Sequence, residues 1–237
     1  MADVFLARRR GRGGPPQRLF AVKVVLDALD DDPRLRSALA AEAALGARLD
    51  HPGVVRVEEL GWEGERPYLA MEYVEGIDLR QLLRGATKRK LGLPIALSLS
   101  IIVEVLRALE HVHSARDVDG EPLHIVHRDV SPANVLLGFD GAVKLCDFGI
   151  ALHDGADGDD RIEGKAGYMS PEQALGMDLD RRADLFAVGV LMWELLSGRR
   201  MYKSDGDAAL IEKAARGDVP PLVCRGLPHE EVLHRIV

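Results

Sequence analysis

Short runs of apolar and β-branched residues alternate with polar turns in the first third of the chain. Such runs have the length and composition of β-strands. They occupy residues 4–7, 19–26, 54–60 and 68–73. Between the second and third runs, residues 35–49 are rich in Ala and Leu at helical spacing and end before His51-Pro52-Gly53. The pattern predicts a small β-rich unit that contains one helix.

The rest of the chain has a different pattern. Two long apolar segments have helical spacing, and two short runs between them have the composition of strands. These segments are residues 95–113, 183–196, 135–137 and 143–145. A small β-rich unit is therefore followed by a larger helical one, which is an α+β arrangement. We place the joint at Glu75-Gly76, so that the units cover residues 1–75 and 76–237.

Composition narrows the class of protein. Of the 237 residues, 47% are hydrophobic and 29% are charged, which is ordinary for a soluble globular protein. The net charge of -7 gives no general attraction to nucleic acid, and no apolar run approaches the ~20 residues of a membrane span. Cys146 and Cys224 lie far apart without metal-binding spacing, which favours a reducing, cytoplasmic location.

Several short motifs follow one another at compatible spacings. Ala21-Val22-Lys23 lies in a predicted strand, and Glu42 lies in the helix after it. His127-Arg128-Asp129, with Asn134 five residues after the Asp, precedes the next strand, and Asp147-Phe148-Gly149 follows the last one. In this order, with Ser170-Pro171-Glu172 further on, the motifs resemble those of the protein kinase superfamily. The resemblance covers nearly all of the chain and implies a bilobal protein-kinase-like fold.

The resemblance implies an ATP-dependent protein serine/threonine kinase that uses Mg²⁺. Lys23 is then expected to hold the α- and β-phosphates, with Glu42 as its anionic partner. Asp129 is expected to accept the proton of the attacking hydroxyl, and Asn134 and Asp147 are expected to bind magnesium through their oxygens. The protein partner is expected to be a substrate with a Ser or Thr hydroxyl, and no nucleic acid partner is expected.

The resemblance also implies a nucleotide site. The residues implied to surround the adenine are Val4, Ala21, Met71, Glu72, Val74 and Leu136. Asp78 is expected to hydrogen-bond the ribose, with a solvated loop position as the alternative. Cys146 is expected to line the pocket as a small buried hydrophobe. Asp184, near the start of the last long helix, is expected to be buried and to hold the backbone of the catalytic loop.

The chain departs from the family pattern in its loops and at its ends. Most serine/threonine kinases carry Lys at the position of Ser131 and Thr at the position of Lys165. We expect Lys165 to supply the missing cation, with an exposed loop lysine as the alternative. Residues 1–7 match only the end of the family's glycine-rich turn and the strand after it, with Ala2 at the third glycine. The expectation is therefore a kinase domain truncated at both ends.

Two other functions stay open. A pseudokinase that binds partners without phosphoryl transfer is favoured by the incomplete glycine-rich turn. A small-molecule phosphotransferase shares the use of a carboxylate base and magnesium, but Arg128 and Ser170-Pro171-Glu172 argue against it. The catalytic Lys, Glu, Asp and Asn residues favour a protein kinase.

Overall fold

The structure, a computed structural model, describes residues 2–9, 18–25, 33–64, 66–148, 166–202, 206–222 and 231–233. Its first part is an antiparallel four-stranded sheet in the order β1-β2-β4-β3. The strands are β1 (Ala2–Arg8), β2 (Leu19–Val25), β3 (Val57–Glu63) and β4 (Arg66–Glu72). One helix, α1 (Pro33–Gly46), crosses between β2 and β3 and packs on β3 and β4. The small β-rich unit with one helix is confirmed.

A small core joins α1 to the sheet. Leu39 and Ala43 from α1 pack with Val55 and with Leu69 and Met71 of β4, and all five side chains are buried. Successive side chains of a strand point to opposite faces, so the face of β4 that carries Leu69 and Met71 is the one that α1 covers. This packing fixes the position of α1 relative to the strands.

The second part begins with a three-stranded sheet and continues as helices. The sheet has the order β5-β6-β7 and consists of β5 (Gly76–Asp78), β6 (Val135–Gly138) and β7 (Val143–Leu145). A 3-10 helix covers Ala166–Tyr168. The α-helices are α2 (Leu79–Lys88), α3 (Ile95–His113), α4 (Pro171–Ala174), α5 (Arg182–Ser197) and α6 (Asp207–Arg216).

The main core lies between α3 and α5. Helix α3 buries one apolar face that includes Val105 and Leu109, whereas α5 has buried residues around most of its circumference, including Val188 and Leu191. A helix that is apolar all round is expected at the centre of a unit. Gly198 ends α5 in the left-handed conformation with φ of 69°, where glycine has no steric penalty. The rest of the large unit is built on this helix pair.

Some predicted boundaries need correction. The strand predicted over residues 54–60 begins at Val57, because Val54 instead forms a parallel bridge with Leu145. Helices α2 and α6 were not predicted, although α2 carries Leu79, Leu82 and Leu83 at helical spacing. The joint at Glu75-Gly76 falls between the two sheets, and the division into two lobes at that point stays a prediction. Within the described ranges, no helix is both long and apolar enough to cross a bilayer.

Candidate active site

Three charged side chains from distant parts of the chain meet beside the first sheet. The Nζ atom of Lys23 donates to both carboxylate oxygens of Glu42, at 3.0 and 2.9 Å, and to Oδ1 of Asp147 at 3.1 Å. Lys23 and Glu42 side chains are only 19% and 7% exposed, whereas Asp147 is 37% exposed. The Lys23 ammonium is therefore bound by one buried carboxylate, that of Glu42, and by one partly exposed carboxylate, that of Asp147.

The local structure explains why Lys23 and Glu42 are in contact. Lys23 lies in β2 between Val4 of β1 and Leu69 of β4, so its backbone is fixed on both sides. Glu42 projects from the middle of α1, which the small core holds against the sheet. Burial alone lowers the pKa of Lys23, but the carboxylates of Asp147 and Glu42 outweigh it and raise that pKa above its ordinary value. Lys23 is a permanent cation in this site.

Asp129 and Asn134 form a second pair, in the loop before β6. The Nδ2 group of Asn134 donates to the backbone oxygen of Asp129 and to its Oδ2 atom, both at 2.8 Å. The backbone oxygen of Asn134 accepts from the amide of Cys146 at 2.9 Å, next to Asp147. This bond extends the β6–β7 pairing, and it brings the loop close to the segment that carries Asp147.

Asp184 holds the backbone of the same loop, as predicted. Its Oδ2 accepts from the amide of His127 and its Oδ1 from the amide of Arg128, each at 2.8 Å. A third contact is made by Nε2 of His113, 2.7 Å from Oδ2. Asp184 is 1% exposed, so water does not compete for these bonds. Arg128 has φ of 67°, a costly backbone conformation that the two bonds to Asp184 help to maintain.

His127 joins the loop before β6 to the segment after β7. The ring is fully buried, and its Nε2 lies 3.1 Å from the backbone oxygen of Cys146 while its Nδ1 lies 3.3 Å from the amide of Asp129. A carbonyl accepts and an amide donates, so this pattern requires a neutral ring protonated on Nε2. Burial lowers the pKa of His127, which agrees with the neutral form. The sequence motif did not reveal this contact.

The oxygens near the Lys23 cluster suit a magnesium ion. Asn134 uses its Nδ2 group on Asp129, so its Oδ1 is the atom left to bind a cation. Asp147, at φ of 56°, offers a partly exposed carboxylate two residues after β7. The described residues contain no group of three or more His, Cys, Asp or Glu side chains placed to hold a metal. Magnesium bound together with phosphates needs only one or two protein ligands, so this pair fits it.

Three of the residues predicted to surround the adenine, Ala21, Met71 and Leu136, lie in β2, β4 and β6. Ala21, Val74, Leu136 and Cys146 are partly buried and pack against the small core that contains Met71. Cys146 is a free thiol whose pKa burial raises well above the ordinary value, which fits an unreactive side chain. The adenine roles of these residues stay predictions.

Two of the predicted nucleotide residues have other contacts, and a third is exposed. Val4 is 60% exposed on β1, opposite Lys23. Glu72 forms an ion pair with Lys144 of β7. The side chain of Asp78 caps α2 by accepting from the amide of Gln81 at 2.6 Å, which is a structural role beyond the solvated loop position considered above. A ribose contact by the other Asp78 oxygen stays a prediction.

Two predicted features cannot be placed. Lys165 and Gly149 lie outside the described residues. Ser131, the other half of the predicted exchange, is 2% exposed, and its Oγ has no hydrogen-bond partner within the described ranges. The structure therefore describes one side of that exchange, and compensation by Lys165 stays a prediction.

A buried polar network was missed by the sequence analysis. Glu194, inside α5, accepts from the hydroxyl of Tyr168 at 2.6 Å and from the amide of Met201 at 3.0 Å. Arg200 lies 3.6 Å from the same carboxylate and also donates to the Tyr168 hydroxyl. A charged residue in the middle of an otherwise apolar helix was the available signal, because such a charge must be paired inside.

Comparison with known proteins agrees with this geometry. The family model for the protein kinase domain matches residues 2–223. The tyrosine-protein kinase MasK of Myxococcus xanthus is 37% identical over 224 residues, which are 93% of this chain and 34% of MasK. The serine/threonine-protein kinase PknA of Mycobacterium tuberculosis is 36% identical over 213 residues, 86% of this chain and 47% of PknA.

Solved structures agree as well. The crystal structure of the PknI kinase domain of Mycobacterium tuberculosis has a TM-score of 0.63 and 30% sequence identity, covering 92% of this chain and 80% of that one. The chain spans between about a third and a half of the length of the curated relatives above. The predicted bilobal fold and family are confirmed, and the chain belongs to the protein kinase domain family.

Proposed function

We propose that this chain transfers the γ-phosphoryl group of Mg-ATP to a Ser or Thr hydroxyl of a protein. The observation that carries the proposal is the contact of Lys23 with both Glu42 and Asp147, across 124 positions of sequence. This contact brings a permanent cation and an open carboxylate to one place. Phosphoryl transfer depends on such preorganised charge more than on covalent chemistry by the protein.

Lys23 binds phosphate oxygens in this proposal. Its Nζ has three protons, and its three hydrogen bonds go to the carboxylates of Glu42 and Asp147. A phosphate competes best for the bond to Asp147, since that carboxylate is the more exposed partner. Glu42 then keeps the ammonium in place, which limits the reorganisation required when the nucleotide binds.

Asp147 and Asn134 are the proposed magnesium ligands. The ion would neutralise negative charge on the phosphate oxygens. Asp147 is free to turn toward it, because the carboxylate is partly exposed, whereas Asn134 is buried and fixed by its bonds to Asp129. One rigid and one adjustable ligand suit a site that binds and releases its nucleotide in each cycle.

Asp129 is the proposed base for the acceptor hydroxyl. Its Oδ2 is oriented by the Asn134 amide at 2.8 Å, and its backbone is tied to Nδ1 of His127. These bonds orient the carboxylate before the acceptor arrives, and geometry of this kind is a large part of catalysis. The proposal also includes the adenine contacts predicted from the sequence and a hydrogen bond from Asp78 to the ribose. The proposed location is the cytoplasm.

Relatives named for both classes of acceptor hydroxyl match the chain. PknA is named a serine/threonine kinase, whereas MasK is named a tyrosine kinase, and the two are about equally similar to this chain. We favour Ser and Thr from the motif order in the sequence. Peptides that differ only in a Ser, Thr or Tyr acceptor decide this point directly.

The proposal is tested by transfer of labelled phosphate from ATP to a general acceptor protein, with and without magnesium. Wild type is compared with Asp129→Asn and with the matched control Asp119→Asn, an exposed residue in a distant turn. We expect Asp129→Asn to lose about 10²–10⁴-fold in turnover while ATP affinity stays within about twofold. Magnesium-dependent ATP binding with no transfer by wild type would instead support the pseudokinase alternative.

A further inference from the structure

A pocket of about 390 Å³ opens between α2 and the end of α5, and it is strongly basic. Five of its lining side chains are cations, whereas Glu194 is the one carboxylate among them. The cations are Arg80, Arg84, Lys88, Arg199 and Arg200. The whole chain carries a net charge of -7, so this excess of positive charge is local. We call this feature the basic pocket.

Glu194 does not neutralise the basic pocket. It is 4% exposed, and its oxygens accept from the Tyr168 hydroxyl and from the amide of Met201. Arg200 is the nearest of the cations, 3.6 Å away. The carboxylate is therefore occupied from inside the protein, and the cations that remain determine the potential at the mouth of the pocket.

Three of the cations lie on one face of α2. Arg80, Arg84 and Lys88 follow each other at intervals of four, which places them in a row along the helix. Like charges at this spacing destabilise a helix, so the row has a cost within the protein itself. In the described part of the chain Arg84 and Lys88 have no ion-pair partner. Arg80 has one long ion pair, 3.7 Å, with Asp78. An anion from outside would offset the repulsion.

The basic pocket adjoins the catalytic loop. Pro132, three residues after Asp129, lines the pocket, and its backbone oxygen accepts from the amide of Arg80 at 2.9 Å. An extended peptide advances about 3.3 Å per residue. Three residues of chain separate Asp129 from the pocket wall, so a substrate that runs toward α2 from an acceptor at Asp129 reaches the pocket within a few residues.

We propose that the basic pocket binds anionic side chains of the protein substrate, a few residues away from the acceptor hydroxyl. This inference rests on the proposed function. The anions are carboxylates of Asp or Glu, or a phosphate on a residue modified beforehand. Arg forms paired hydrogen bonds with either group, and Lys88 adds a point charge. The chain would thus select acidic acceptor segments.

The form of the pocket favours a peptide over a nucleic acid. Leu83 and Pro132 give it an apolar wall, and the cations surround one concavity. Proteins that bind a nucleic acid strand usually have an extended basic groove along its backbone and aromatic residues that stack on its bases. The lining residues include no aromatic ring. A short chain segment with one or two anions is the better match.

The test measures peptide binding by fluorescence anisotropy and phosphate transfer in parallel. Three labelled peptides share one Ser acceptor and carry Glu, Ala or phosphoserine at the flanking positions. The proteins are wild type, Arg84→Glu/Lys88→Glu and Arg84→Gln/Lys88→Gln. The control, Arg48→Glu/Arg107→Glu, makes the same change in net charge at exposed positions outside the pocket. Thermal melts confirm that each variant is folded.

We expect wild type to bind the Glu peptide about tenfold more tightly than the Ala peptide, and the pocket variants to lose that difference. The control should stay within about twofold of wild type, because long-range charge is screened by salt. The phosphoserine peptide shows which anion is preferred. If peptides bind but none is phosphorylated, the proposed function is wrong, whereas the proposal that the basic pocket binds anionic side chains stays supported.

Other results would contradict the proposal that the basic pocket binds anionic side chains of the substrate. Equal affinity of wild type for the Glu and Ala peptides would do so, as would equal losses in the pocket variant and the control. A single-stranded RNA of matched charge is included as a competitor. If it binds more tightly than the Glu peptide, and the pocket variants lose that binding, the site is one for nucleic acid and the proposal is wrong.

Discussion

The ring of His127 packs against that of Phe148 in a tilted arrangement, with ring centroids 4.7 Å apart and an angle of 36° between the planes. The first residue begins the catalytic loop and the second directly follows Asp147, so the two proposed catalytic segments share one buried contact. The same His127 ring is bonded to the backbone oxygen of Cys146. A shift of either segment must disturb the other, which couples the position of Asp129 to that of Asp147.

This contact predicts a loss of stability in mild acid. The folded protein keeps His127 neutral and its pKa below the ordinary value, whereas the unfolded chain protonates it near pH 6.5. The unfolded state then binds more protons, so the free energy of unfolding falls as pH decreases below about 6.5. The slope from this one group is at most about 1.4 kcal/mol per pH unit.

Urea unfolding between pH 7.5 and pH 5 measures this effect. His127→Gln keeps a hydrogen-bonding side chain but does not titrate, so the difference between its slope and that of wild type isolates the histidine. His124→Gln is the control, since His124 is partly exposed and has no place in this contact. Parallel pH slopes for wild type and His127→Gln would contradict the prediction.

Asp184→Asn is expected to destabilise the protein and to lower turnover strongly. The carboxylate accepts from two backbone amides and contacts His113, and an amide places an NH₂ group against one of these donors. Loss of a buried charged acceptor costs about 2–3 kcal/mol. The observable is the midpoint of unfolding together with turnover per folded molecule. Asp178→Asn, an exposed change before α5, serves as the control.

The network around Glu194 predicts a second large effect on stability. Tyr168→Phe removes the hydroxyl that donates to Glu194 at 2.6 Å and leaves a buried carboxylate short of one donor. We expect a loss of about 1–3 kcal/mol in unfolding free energy. Tyr73→Phe, at an exposed site, controls for loss of a hydroxyl alone. A Tyr168→Phe protein with the stability of wild type would mean that water or Arg200 replaces the bond.

Removal of the Lys23 cation tests its proposed role as the phosphate ligand and its contribution to stability. Lys23→Met leaves Glu42 buried beside Asp147 without its cation, so ATP affinity and stability should both fall. Adding Glu42→Gln to that variant should restore stability but not ATP affinity, because it removes the buried charge without supplying a phosphate ligand. Thermal melts and calorimetric titration with Mg-ATP separate the two effects. If the double change also restores ATP binding, Lys23 is not the phosphate contact.

Strong periodicity was the reliable part of the sequence. The predicted helix at residues 95–113 and the strand at 143–145 coincide with α3 and β7, because their apolar residues face one continuous core. Helix α2 was missed, although Leu79, Leu82 and Leu83 have the spacing of a helix and pack in the main core.

The site was predictable only where a motif names the residue. Lys23, Glu42 and Asp147 were singled out in this way, although nothing in their spacing alone would join positions 23 and 147. Tyr168 and Glu194 have no such motif, and a pairing across 26 positions depends on the fold of the segments between them. The basic pocket likewise needs α2 and the end of α5 side by side.

The exchange between Ser131 and Lys165 gives the last prediction. The γ-phosphoryl group in transfer carries negative charge, and a cation near the catalytic loop stabilises it. Ser131 is buried and uncharged, so it does not supply that cation. If Lys165 does, Lys165→Ala should lower turnover about tenfold with little change in ATP affinity, and Lys165→Arg should retain most of the activity. Arg48→Ala, which removes one exposed charge elsewhere, is the control.

A double change tests the exchange itself. Ser131→Lys with Lys165→Thr restores the arrangement usual in the family, and turnover of the singles and the double gives a coupling energy. The burial of Ser131 adds a condition that the sequence did not reveal: a lysine there must extend its stem to reach solvent or phosphate. Ser131→Lys alone should therefore cost stability, most of all without nucleotide, and Mg-ATP should recover part of that loss in a thermal melt. Additive effects on turnover, or a silent Lys165→Ala, would make Lys165 an ordinary surface charge.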